Sequence, residues 1–91
     1  MHIRVTRARF DPGRADEVLR HVREQSVPAA RKLPGFKSLQ FGIDRQAGRF
    51  VAVTAFDEAD QSQPLSAIRA SLEAIGIQFE SSEVCEVVIE G

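Results

Sequence analysis

The stretch LPGFKSLQFGIDRQAGRFVAV, residues 33–53, decides how the rest of the chain is read. Pro34 disfavours helix in the residue before it and Gly35 permits the turn out, so whatever helix precedes them ends there. Residues 36–43 and 49–56 then alternate as strands do, and residues 44–48 between them suit a hairpin turn while being too short for a parallel crossover. Two antiparallel neighbours are expected. Pairing Phe41 with Val51 sets Leu39 against Val53 on one face, and Gln40 against Ala52, Ser38 against Thr54 and Phe36 against Phe56 on the other. The first face reads as core. The second carries Phe36, Phe50 and Phe56 among polar residues, and resembles neither core nor ordinary surface.

Working outward, residues 2–10 form a strand that Asp11-Pro12-Gly13 breaks. Over residues 14–32, Ala15, Val18, Leu19, Val22, Ser26 and Ala30 recur at three- and four-residue steps, the stripe of an amphipathic helix. Beyond the hairpin, Leu65, Ile68, Leu72 and Ile75 mark a second helix, with Asp60 or Ser62 as its cap, Pro64 in its first turn and Gly76 as its stop. Residues 83–90 read as a last strand. The order βαββαβ over residues 1–91 predicts a single α+β domain of ferredoxin-like type: a four-stranded antiparallel sheet, strands ordered 4-1-3-2, with both helices on one face. The helices should cover Ile3, Val5, Leu39, Phe41, Ile43, Val51 and Val53. That leaves Arg4, Thr6, Phe36, Phe50, Thr54, Phe56 and Glu86 on an open face, a patch that calls for a cover.

Composition narrows the function classes. A chain of 91 residues buries roughly 60–65% of the surface its unfolded form exposes, so a second copy would add to a small core. The formal charge of −1 lacks the basic footprint of a nucleic-acid binder. No run of about 18 apolar residues suggests a membrane span, and residues 1–10 lack the apolar centre of a signal peptide, so a cytoplasmic protein is expected. Cys85 is the single cysteine, which excludes an intrachain disulfide or a CxxC pair. Its alternation with Val87 predicts a buried, inert thiol. Basic residues concentrate before residue 57 and acidic ones after it, as expected if the first strand lies beside the last, with Arg4, Arg7 and Arg9 near Glu83, Glu86 or Glu90.

The succession of strand, Asp11-Pro12-Gly13 turn, helix, Leu33-Pro34-Gly35-Phe36, hairpin, Phe56-Asp57-Glu58, helix and Glu83-Val84-Cys85-Glu86-Val87-Val88 resembles the antibiotic biosynthesis monooxygenase (ABM) type of dimeric α+β barrel over essentially the whole chain. The resemblance implies a homodimer of face-to-face sheets, a small-molecule pocket, and an oxidoreductase that needs no cofactor. Haem-degrading members use an asparagine, a tryptophan and a helical histidine. This chain has no asparagine and no tryptophan, and its second helix has no histidine, so haem degradation is not expected.

The candidate chemistry follows from few residues. His2, one of two histidines, is a candidate proton acceptor at the barrel mouth, against the plainer reading of a solvated chain end. His21 flanks the apolar stripe of its helix. Arg4 and Glu86 are candidates to orient a polar substrate and to act as acid or base, or else form a structural cross-strand ion pair. Phe36, Phe50 and Phe56 would shape an apolar cavity, and Ser38, Gln40 and Thr54 would offer hydrogen bonds to a small aromatic ligand or to one another. No histidine or cysteine spacing suits a metal. Two functions are thereby open: a cofactor-independent monooxygenase acting on a small aromatic or polyphenolic molecule, and a non-catalytic homodimeric binding or structural module.

Overall fold

The computed structural model describes residues 1–58 and 65–91. Strands β1 (His2–Arg9), β2 (Phe36–Asp44), β3 (Arg49–Phe56) and β4 (Gln78–Glu86) form one antiparallel sheet in the order β2-β3-β1-β4. This is the expected ferredoxin-like topology. Helices α1 (Ala15–His21) and α2 (Val27–Arg31) belong to one rod spanning residues 15–31, and α3 (Leu65–Glu73) is the second helix. The expected caps Asp60 and Ser62, with Pro64, lie outside the described residues.

Local chemistry accounts for the punctuation. Asp11 caps a short 3-10 turn, Pro12–Arg14, by accepting the Gly13 N–H at 2.9 Å, which converts the end of β1 into the start of the helical rod. Arg14 donates from Nη2 to Glu17 Oε1 at 2.7 Å, and this hydrogen bond holds the Glu17 carboxyl below its ordinary range. Between α1 and α2 the rod widens into a π turn, Val22–Ser26, in which the Val27 N–H reaches back five residues to the Val22 carbonyl. Pro28 is the cause we assign: it has no N–H to offer the Glu24 carbonyl and its ring crowds that group, so the backbone yields by one residue.

The hairpin departs from expectation by one residue. Asp44 Oδ1 accepts the N–H groups of Gln46 at 3.1 Å and Ala47 at 3.0 Å, and its carbonyl accepts that of Gly48 at 3.0 Å. The turn thus closes on residues 45–48, with Asp44 opposite Arg49. Phe41 consequently faces Ala52 rather than Val51, and Leu39 faces Thr54 rather than Val53. An irregularity between Phe36 and Ser38 absorbs the difference, so Phe36 still meets Phe56 as expected, while Ser38 meets Ala55.

A slip of one residue exchanges the faces of a strand. The β3 set Phe50, Ala52, Thr54 and Phe56, not Val51 and Val53, joins Leu39, Phe41 and Ile43 beneath the helices. Through the register Thr6↔Ala52 it carries Arg4, Thr6 and Ala8 of β1 with it. The bulkier aromatic set occupies the better-covered side, which buries more apolar area than the valines would. Phe56 is 1% exposed and Phe50 5%, and they join Ala8, Phe10, Val18, Val22, Leu72 and Ile77 in the core. Ile3, Val5, Val51 and Val53, expected in the core, lie half-buried on the open face instead.

β4 also differs. It spans Gln78–Glu86 where residues 83–90 were expected, because Gly76 (φ 95°) ends the α3 segment early enough for Ile77 and Phe79 to pack against the core. Its ion pair with β1 is therefore Arg9 with Glu80, at 3.9 Å and exposed, while Glu83 lies opposite Val5. Cys85 is exposed on this edge strand, not buried. No described helix is long and apolar enough to cross a membrane.

Candidate functional site

The sheet and the helices do not close completely on one another. Between them lies a cavity of about 240 Å³. Its floor is the sheet. Phe50 stands at the centre, its ring 4.7 Å from that of Phe41 and 6.2 Å from that of Phe79, the latter edge-on at 89°. Leu39 and Ala52 extend the apolar floor, and Val22, Ala30, Ile68 and Leu72 descend from the helices to form the roof.

Polar groups occupy only part of this wall. Arg4 of β1 donates from Nη1 to Ser82 Oγ of β4 at 2.7 Å, and the same hydroxyl lies 3.4 Å from Thr6 Oγ1. Thr54 stands opposite Arg4 on β3 and is buried. On the roof, Ser26 lines the cavity from the π turn, 7% exposed, with a hydroxyl that has no hydrogen-bond partner among the described residues. Two lining residues, Arg69 and Ser82, are exposed, which locates the mouth between α3 and the β4 edge. Arg69 lies 4.8 Å above the Phe79 ring and 3.9 Å from Glu73, so the mouth is dressed by a guanidinium.

The expected site residues separate into four groups. Arg4, Phe50 and Thr54 line the cavity together. Phe36 and Phe56 pack edge-to-face at 6.2 Å, beside Phe56's fully buried position, and do not line it. Ser38 and Gln40 are exposed, opposite Ala55 and Val53, and so belong to the open sheet face. His2 and Glu86 face each other at the end of the β1/β4 ladder, also outside the lining, and Arg4 is opposite Val84 rather than Glu86. The cross-strand Arg4–Glu86 pairing is thus not formed. His21 pins the two helices, its Nε2 3.2 Å from Ser71 Oγ, whose own proton goes to the Ile68 carbonyl at 3.0 Å. With that hydroxyl committed, Nε2 is the donor.

Arg69 and Ser82 carried no signal in the sequence, and three further lining residues were placed elsewhere for different reasons. Phe41 was placed with the core, Phe79 preceded the expected last strand, and Ser26 counted merely as a member of the helical stripe. Ser26 carried a signal nonetheless, as the one hydroxyl on that stripe. A second, more open depression of about 360 Å³ lies at the hairpin end of the sheet, where Arg7, Asp44, Arg49 and Glu80 give it mixed charge. Among the described residues no group of three histidine, cysteine or acidic side chains is placed to hold a metal.

The sequence matches no protein-family model and no curated protein. Solved structures do match. HapK from Hahella chejuensis superposes with a TM-score of 0.79 at 17% identity, covering 100% of this chain and 96% of HapK. A dimeric ferredoxin-like protein from an uncultured marine organism gives 0.73 at 10% identity, over 100% of this chain and 98% of its own. A variant of SnoaB, a cofactor-independent oxygenase from Streptomyces nogalater, gives 0.69 at 14% identity, over 98% and 94%. Structures described as antibiotic biosynthesis monooxygenases match at TM-scores of 0.67 to 0.75. The chain therefore has the fold of ABM-type proteins along its whole length, and at these identities the likeness is one of fold.

Proposed function

We propose that this chain is a homodimeric, cofactor-independent monooxygenase of ABM type, acting as one domain on a small aromatic or polyphenolic molecule held between the sheet and the helices. The observation that carries this reading is the cavity itself: rings of Phe41, Phe50 and Phe79 on the floor, with two guanidiniums in the lining, Arg4 on the sheet and Arg69 at the mouth. Aromatic walls favour a flat apolar ligand, and a cation in a poorly solvated wall favours an anion. A phenol meets both demands.

The described lining contains no carboxylate and no imidazole, and of its two cations Arg69 is exposed at the mouth beside Glu73, so activation falls on Arg4. Its charge stabilises the phenolate over the phenol, and the proton leaves through the mouth to solvent. Electrons from the phenolate reduce dioxygen: one oxygen atom replaces a ring hydrogen and becomes the second carbonyl of a quinone, and the other departs as water. The protein orients, desolvates and stabilises charge. Ser82 holds Arg4 through its hydroxyl, while His2 and Glu86 are not among the residues that line this wall.

Homodimerisation is supported by the open face. Ile3, Val5, Val51 and Val53 form a contiguous apolar strip across β1 and β3 there, and a second copy is the cover this fold offers. The dimeric neighbour points the same way.

Oxygen uptake across a panel of naphthols and hydroquinones tests the assignment, with mass spectrometry of the products. The expected result is consumption of oxygen with one labelled atom from ¹⁸O₂ in a quinone product. Flat uptake with bound but unchanged phenols would sink the enzyme and leave the second reading, a homodimeric small-molecule-binding module. The absence of a base among the described lining residues is what favours that alternative.

A further inference from the structure

We infer that the cavity's ligand is a hydroxyaromatic acid, whose ring lies against Phe50 and Phe79 with its hydroxyl toward Arg4, and whose carboxylate leaves through the mouth onto Arg69. The inference rests on the proposal that the cavity is the ligand site, and it adds to the phenol named there a second group that is charged at neutral pH. The first observation is the balance of charge. Two guanidiniums line the cavity, and the described lining holds no carboxylate. A phenolate at Arg4 answers one of them. The other calls for an anion of its own.

The second observation is how Arg69 is held. Its guanidinium carbon lies 4.8 Å above the centre of the Phe79 ring, so a group carried on α3 reaches across the mouth to a floor residue of β4. Among the described residues its one charged partner is Glu73, with Nε 3.9 Å from Oε1, beyond hydrogen-bond reach. Neither contact engages an N–H donor in a hydrogen bond. The aromatic contact keeps the group at the mouth, and its fork of donors stays available to a carboxylate, which it matches with two parallel hydrogen bonds. An exposed pair with Glu73 at that distance is weak and yields to a ligand. Arg4, by contrast, stands on the sheet and donates to Ser82 Oγ at 2.7 Å. The two cations thus meet the ligand from different layers, and a ring seated on Phe50 and directed along Phe79 brings its outer substituent under Arg69.

Isothermal titration of the purified protein with 2-naphthol, the positional isomers of hydroxynaphthoic acid and the methyl ester of each tests this without reference to turnover. At neutral pH and low salt at least one acid should bind about fivefold tighter than its own ester, the order expected of one partly exposed ion pair of good geometry. Arg69→Gln should bring that acid down to its ester and leave the ester and 2-naphthol within about twofold of wild type. Glu73→Gln should move the acid the other way and tighten it, because a carboxylate competing for the same guanidinium is gone. Arg4→Gln should weaken acid, ester and naphthol together.

No acid preferred over its ester in the wild type, a preference that survives Arg69→Gln, or a preference that Glu73→Gln lowers would each overturn the inference. A preference unchanged between low and molar salt would do so too, since an ion pair at an open mouth is screened. Arg69→Lys, which keeps the charge and loses the fork, should keep part of the preference and so separates loss of the ion pair from a disturbed mouth. Tight, Arg69-dependent binding of the acid without oxygen uptake would remove the enzyme reading and leave this one standing. Oxidation of naphthols by a protein that binds acid and ester equally would do the reverse.

Discussion

Phe50 meets three other rings, those of Phe10 at 6.4 Å, Phe41 at 4.7 Å and Phe79 at 6.2 Å, and is at once the middle of the core and the floor of the cavity. Removing it takes a large buried ring from a site the helices already leave incompletely filled. Phe50→Ala should destabilise the fold by about 3–5 kcal/mol in chemical denaturation, the range for truncating a buried Phe. A loss under about 1 kcal/mol would mean that Phe50 is on the open face after all. The sequence marked Phe50 as special but put it on the wrong side. Alternation says which residues share a face. It does not say which of two apolar faces the helices choose, and here the choice rests on the Asp44 side chain, whose two accepted N–H groups set the turn one residue later than its glycine suggested.

At the scale of the element, the junction of two turns is the most demanding piece of backbone. Gly48 has φ 67°, and a Cβ there would sit 2.3 Å from the Phe10 carbonyl oxygen and 2.9 Å from Pro12 Cγ. The same junction is joined by the Phe10 N–H donating to the Gly48 carbonyl at 2.8 Å. Gly48→Ala therefore meets left-handed strain and a backbone clash together, and should cost at least about 1–3 kcal/mol. Gly42→Ala is the control. Its added Cβ would touch Val51 Cγ1 at an ordinary 3.5 Å, and its φ is not positive, so its melting temperature should stay close to that of wild type. Element type and order were legible in residues such as Pro34, Gly35 and Gly76, which punctuate through local physics. The π turn was not legible, because its stripe residues keep helical spacing closely enough on both sides of the extra residue. The β4 boundary was missed because the residues after Phe79, Glu80 to Glu86, are exposed and largely polar, so the strand carries little apolar pattern at an edge.

For the whole molecule, topology and the single covered face followed from the order of elements. The identity of the uncovered face did not, since it inherits every error of register. That face now holds Ile3, Val5, Val51 and Val53, bordered by Arg7, Arg9 and Arg49 at the hairpin end and by Glu83 across β4. If a second copy covers it, a charge in the middle of the strip is buried without a partner. Val53→Asp should convert the dimer to monomer in sedimentation equilibrium while retaining the far-ultraviolet circular dichroism of the fold. A wild type that sediments as a monomer at micromolar concentration would remove the dimer altogether. The candidate site was legible only in part for the same reason: Arg4, Thr54 and Phe50 were picked out by composition on a face, whereas Ser38 and Gln40 shared that face only under the mistaken register.

The sheet is one layer of backbone with the cavity on one side and the apolar strip on the other, and the mouth beside Arg69 and Ser82 opens at the β4 edge. In a dimer joined through the strip, the two chambers sit on the outer flanks, back to back. Loading one leaves the other's doorway untouched, and neither subunit has to part from its mate for a guest to come or go. Occupancy of such an assembly rises along a simple hyperbola, one guest per chain, at any protein concentration that keeps the pair together.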